Sequence, residues 1–176
     1  MINEAKNNIA KYIFNKKFLN KNYSINIGNK FLSASNDFLF LLPGNDNDFK
    51  NGFDVVRYFL IHKKNITLFL PEYKINLVPE GRKYSFIGYG IQDVNKIGLP
   101  NKNLIDKLRE KKFDVVVDLN RNENLFYIAV ANIVNAKFRV GFKRKQTETY
   151  YNFQVINRKL NSEISYRNLL NSVKMF

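Results

Sequence analysis

A doubly wound, mostly parallel α/β sheet is the fold this chain is expected to adopt, on three observations. From Asp37 onward, short apolar runs alternate with segments of helical periodicity. Several of the runs are apolar at every position, not every second one, as in strands covered on both faces. Alternation of this kind closes through right-handed crossovers into one parallel sheet.

The expected strands, in chain order, are Phe38–Leu42, Ile66–Leu70, Tyr84–Ile87, Val115–Val117, Phe138–Val140 and Phe153–Ile156. Helices are expected over about 49–62, 101–111, 123–135 and 164–174. In the first of these Phe53, Val56, Phe59 and Leu60 share a face. Residues 1–36 read differently. Ile2, Ala5, Ile9 and Ile13 recur at helical spacing, with Lys6, Lys11, Lys16 and Lys17 between them. This is a basic amphipathic helix, which can lie on an anionic membrane, dock on a partner or fold back on its own domain. Folding back is the commonest of the three. Turn-forming residues over Asn20–Ser24 then break the pattern. The chain thus divides into a helical extension, 1–36, and a domain, 37–176.

Composition bounds the function. At 176 residues with 45% hydrophobic content, the chain fits one ordinary domain with a real core. No cysteine is present, which excludes disulfides, thiolate metal sites and cysteine nucleophiles together. With His62 as the single histidine, a zinc site is not expected. No apolar run approaches the ~20 residues that span a bilayer, and the amino terminus lacks the pattern of a secretory signal. A cytoplasmic location is expected, with the inner face of the membrane as a peripheral alternative. Twenty-nine Lys and Arg against 15 Asp and Glu leave a formal charge of +14. Such an excess favours polyanionic partners: nucleic acid, anionic lipid or phosphorylated glycans. A coding bias toward Lys and Asn would produce the same number with no partner at all.

Parallel sheets bind ligands beyond the carboxyl ends of their strands, where strand order reverses. That directs attention to the loops Pro43–Asp48 and Asp118–Asn122. The first holds one glycine, Gly44, and neither dinucleotide nor nucleoside-triphosphate fingerprint, so no cofactor is expected. A carboxylate here can take a proton from a sugar hydroxyl as general base. Equally, Asp46 and Asp48 can cap the helix that follows. Asp118, at the end of the Val-Val-Val run, can contact a ligand or bond neighbouring loop amides. Lys137, Arg139, Lys143, Arg144 and Lys145, followed by Tyr150 and Tyr151, form the densest basic cluster. Cations beside aromatics can grip phosphates.

Three segments carry a family resemblance: Phe113-Asp114-Val115-Val116-Val117-Asp118-Leu119-Asn120, Arg139-Val140-Gly141-Phe142, and Tyr150-Tyr151-Asn152. Together with the strand order over residues 37–176, they resemble the amino-terminal domain of bacterial heptosyltransferases, glycosyltransferase family nine. Asp48 matches that family's aspartate, while Asn47 stands for its Gly, Phe49 for an aliphatic residue, and Asp54 near its Pro.

The resemblance implies a Rossmann-like half of a two-domain GT-B fold that holds the acceptor of envelope polysaccharide or lipopolysaccharide synthesis. It implies Asp48 as the catalytic base, and Asp118, Asn120, Lys143 and Arg144 near a phosphorylated glycan or lipid acceptor. Sugar transfer needs donor and acceptor held together, so the domain is expected to be inactive alone, completed by a separate donor-domain subunit or by residues outside this sequence. Against this stands a non-catalytic binding module whose basic helix and loop contact nucleic acid or anionic membrane.

Overall fold

A computed structural model of the chain describes residues 2–19, 31–144, 149–157 and 161–175. The Asn20–Ser24 turn and Lys145 lie outside the described residues. The strands are β1 (Asp37–Leu41), β2 (Asn65–Pro71), β3 (Ser85–Tyr89), β4 (Lys112–Asp118), β5 (Asn135–Phe142) and β6 (Phe153–Val155). They form one sheet in the order β3-β2-β1-β4-β5-β6, with every pairing parallel. The expected fold class is the one found: Rossmann-like, with helices on both faces.

The helices are α1 (Ile2–Lys17), the single turn α2 (Phe31–Ala34), α3 (Asp46–Ile61), α4 (Lys102–Arg109), α5 (Leu125–Ile133) and α6 (Ser162–Val173). Because side chains alternate across a strand, β1 feeds two cores at once. Phe38, Phe40 and Leu42 point to one, where Phe53, Val56 and Phe59 of α3 meet Tyr166 and Leu169 of α6. Leu39 and Leu41 point to the other, with Leu104 and Leu108 of α4 and Ile128 and Val130 of α5.

The amino-terminal helix completes the second layer. Ala10 and Phe14 of α1 are buried in it, while Ile9 and Tyr12 face outward. The Phe14 ring meets Tyr150 edge-on at 5.2 Å, and the Tyr150 hydroxyl donates to Asn15 Oδ1 at 3.2 Å. A helix apolar on all sides must be covered on all sides. In α5 every residue from Phe126 to Ile133 is buried, and α1 packs against it.

The two ends of the sheet are built differently. At the amino end, Asp114 Oδ2 accepts the backbone N–H groups of Asn36 and Asp37 at 2.9 and 3.2 Å. Its Oδ1 accepts Lys137 Nζ at 2.8 Å, so one carboxylate ties β1, β4 and β5 together. At the carboxyl end the strand order reverses between β1 and β4, and the loops that follow these two strands diverge around a cavity.

Candidate functional site

The loop after β1 is shaped by Asn45, which caps α3. Its Oδ1 accepts the Asp48 N–H at 2.8 Å, and its Nδ2 donates to Asp48 Oδ2 at 3.0 Å. Asn45 is therefore the cap; Asp46 and Asp48 sit in the first turn, where their charge suits the helix dipole. Asp46 is exposed and pairs with the buried Lys74, its Oδ1 2.6 Å from Nζ.

Asp48 is only 2% exposed. Its Oδ1 accepts Arg121 Nε at 2.8 Å from the loop after β4, and Ser162 Oγ at 2.6 Å from the start of α6. Burial alone would raise this carboxyl. The hydrogen bonds from Ser162, Asn45 and Arg121 outweigh that effect and hold it below the ordinary aspartate value. Asp48 is an anion that pins three separate chain segments at the mouth of the sheet.

Asp118 ends β4 with no exposed surface. Its Oδ1 accepts the Asn120 backbone N–H at 2.9 Å and Asn120 Nδ2 at 2.8 Å. Its Oδ2 accepts Arg144 Nη2 at 2.8 Å and the Tyr151 hydroxyl at 2.5 Å. Burial and the Asp118 charge push the Tyr151 phenol well above its usual range. Asp118, Asn120 and Arg144, expected to share a site, are thus in one cluster. Lys143 is solvent-exposed at the end of β5.

The basic cluster seen along the sequence is dispersed by the fold. Lys137 bonds Asp114 at the far end of the sheet. Arg139 is buried and donates to the carbonyls of Ala131, Val134 and Ala136 at 2.7, 2.9 and 3.1 Å. It thereby satisfies the Ala131 and Val134 carbonyls at the carboxyl end of α5, which have no partner within the helix, and ties them to Ala136 at the start of β5. Of the cluster, only Arg144 and Lys143 stay near the ligand edge among the described residues.

Between the two loops lies a cavity of ≈ 290 Å³, walled by Asn45, Asp48, Asn120 and Arg121 and by the phenols of Tyr89 and Tyr127. The two hydroxyls are 2.7 Å apart, and burial raises both phenols above the usual tyrosine value. Both remain neutral donors and acceptors at physiological pH. Sequence reading places Arg121 in the loop without a role and misses Ser162, Tyr89 and Tyr127. Only the loop position marks Arg121. Nothing local marks the others: Ser162 lies 114 residues from the carboxylate it bonds.

Among the described residues, no group of three His, Cys, Asp or Glu side chains is placed to hold a metal ion. His62 closes α3, with Nδ1 2.8 Å from the Tyr58 carbonyl oxygen and its ring on the Tyr58 ring. Among the same residues, no helix is long and apolar enough to cross a membrane.

Sheet order, layering and the switch-point cavity define a Rossmann-like domain of the kind that forms one half of a GT-B glycosyltransferase. Over residues 6–171 the chain matches a family described as a family of unknown function (DUF6913), and it belongs to that family. A search of curated proteins finds no match. Among solved structures it is similar to a glycosyl transferase family 9 protein from Veillonella parvula, with a TM-score of 0.51 and 14% sequence identity. The likeness covers 80% of this chain and 42% of that one, so the chain spans less than half the length of that structure. At this identity it is a likeness of fold.

Proposed function

We propose that this domain is the acceptor-side lobe of a glycosyltransferase-like assembly. In this reading it presents a glycan hydroxyl, at the cavity between the β1 and β4 loops, to a donor-binding lobe. The observation that carries the proposal is the position of the cavity. It lies at the topological switch point of a 3-2-1-4-5-6 sheet, where ligands of this fold bind. The fold likeness, which spans 42% of a family 9 glycosyl transferase, supports the same assignment.

Under this reading Asp48 is the base. Oδ1 is occupied by Arg121 and Ser162, leaving Oδ2, bonded to Asn45 alone, as the oxygen with a spare lone pair. Of the other residues implied for the acceptor, Asn120 lines the cavity and is held by Asp118, which Arg144 braces in turn; the reading assigns Lys143, exposed after β5, to the acceptor as well. The acceptor class the family resemblance implies is a growing envelope polysaccharide such as lipopolysaccharide core.

The test combines binding and turnover. The chain alone, titrated with nucleotide-sugars by calorimetry, is expected to bind none. Recombined with a donor-binding lobe it should transfer sugar, and Asp48→Asn should abolish transfer while acceptor still binds. Tight nucleotide-sugar binding by the isolated chain, or full turnover by the Asp48→Asn variant, would overturn the reading.

A further inference from the structure

The charge in the cavity contradicts the charge of the chain. The protein as a whole carries +14, yet the cavity lining holds one cation, Arg121, against two anions, Asp48 and Glu123. Arg121 is committed to Asp48 at 2.8 Å. Two other buried cations at this end of the sheet are also paired, Arg144 with Asp118 and Lys74 with Asp46. Among the described residues no lysine lines the cavity. A phosphate entering here would meet a guanidinium already paired with Asp48 and an exposed carboxylate, with no further cation among the described lining residues.

What the cavity does offer is neutral hydrogen bonding. Asn45, Asn120, Asn122 and Asn124 line it beside the Tyr89 and Tyr127 hydroxyls. Side-chain amides and phenols each provide both a donor and an acceptor, which is what a sugar hydroxyl needs. A second cavity of ≈ 510 Å³ shares Glu123 and Asn124 with the first and runs toward α1, where Asn7 and Asn8 add two more amides. There too the lining holds one cation, Lys11, and one anion, Glu123.

From this we infer that the site takes a neutral, hydroxyl-rich glycan end, extending from the switch point toward α1, and selects against phosphorylated sugars. The inference rests on the acceptor-side reading above and narrows its substrate class. Glu123 is the residue that enforces the selection: it is exposed, it lines both cavities, and its charge opposes a phosphate entering either. Tyr127, held in place by its bond to Tyr89, supplies hydroxyl recognition.

The experiment uses the full chain labelled with nitrogen-15 and titrated with a neutral methyl hexoside, a neutral trisaccharide and a hexose 6-phosphate. The neutral ligands are expected to shift the amide signals of Asn120, Arg121 and Asn124, with the trisaccharide also shifting Asn7 and Asn8. The sugar phosphate should bind roughly tenfold more weakly, the size of one like-charge contact at a partly exposed site. Glu123→Gln should close that gap by raising affinity for the sugar phosphate, and Tyr127→Phe should weaken the neutral ligands. Glu123 is solvent-exposed, so its replacement leaves the fold intact. Stronger binding by the phosphate in the unaltered chain would overturn this inference and leave the acceptor-side reading standing. No shift with any sugar would overturn both.

Discussion

Two buried carboxylates do most of the organising at the ligand edge, and each is tied to an arginine distant in sequence. Asp118 has no exposed surface and Arg144 next to none, so removing one charge leaves the other stranded. Asp118→Asn is expected to cost about 3–5 kcal/mol in denaturant unfolding. Replacing Asp118 and Arg144 together by apolar residues should cost less than the single change. Gly141 explains the glycine of the Arg-Val-Gly-Phe segment by space, not by backbone angle. A Cβ there would meet the Tyr151 ring at 3.1 Å, and that ring is held by its bond to Asp118. Gly141→Ala should therefore cost about 1–3 kcal/mol and disturb the β4 loop, read as shifted Asn120 amide signals. Asp114 titrates at about 2, below its ordinary 3.8, because Lys137 and the backbone N–H groups of Asn36 and Asp37 bond its charged form. A carboxyl depressed on folding stabilises the native state fully above its ordinary value and loses that contribution as pH falls through the folded one. The strand-end staple should thus release between about pH 4 and pH 2, seen as an Asp114 carbon-13 titration tracking loss of β1 amide protection.

At the scale of elements, apolar periodicity identifies every strand and the four domain helices, because burial on two faces demands it. Ends shift by a few residues where capping decides them: α3 begins at Asp46, set by Asn45, and α6 at Ser162, set by Asn161. The fate of α1 is not written in its own periodicity, since the same stripe suits a membrane, a partner or its own domain. What decides it is α5, whose surface, apolar but for Asn132 and the Tyr127 hydroxyl, needs a cover. Phe14, fully buried against Tyr150, is the contact that carries this packing. Phe14→Ala is expected to cost about 3–5 kcal/mol, whereas Tyr12→Ala, on the exposed side, should stay within about 0.5 kcal/mol. Equal losses at the two positions, measured by urea unfolding, would mean that α1 does not pack as described.

For the whole molecule, net charge and site charge are separate quantities. A formal +14 produces sequence-independent attraction to polyanions through exposed lysines. Binding to a generic duplex nucleic acid should fall linearly on a log–log plot against salt, and it should leave the signals of Asn120 and Arg121 unmoved. A nucleic acid that bound tightly at high salt and shifted those loop signals would favour the binding-module reading over the acceptor-side one.

Local sequence was enough to establish the α/β class, the order of strands and helices, and the two loops at which a ligand edge would form. Those features follow from short-range rules: alternation, helical period and the turn residues between them. Aspartates 48 and 118 were legible as loop carboxylates for the same reason. Their partners were not. Ser162, Arg144 and Tyr151 approach only when the sheet is assembled, and the apparent basic patch dissolves because Lys137 and Arg139 are drawn to the other end of the sheet and to the end of α5. Hydrogen bonds and ion pairs act over a few ångströms of space, whatever the distance along the chain, so pairing and the net charge of the cleft belonged to tertiary structure alone.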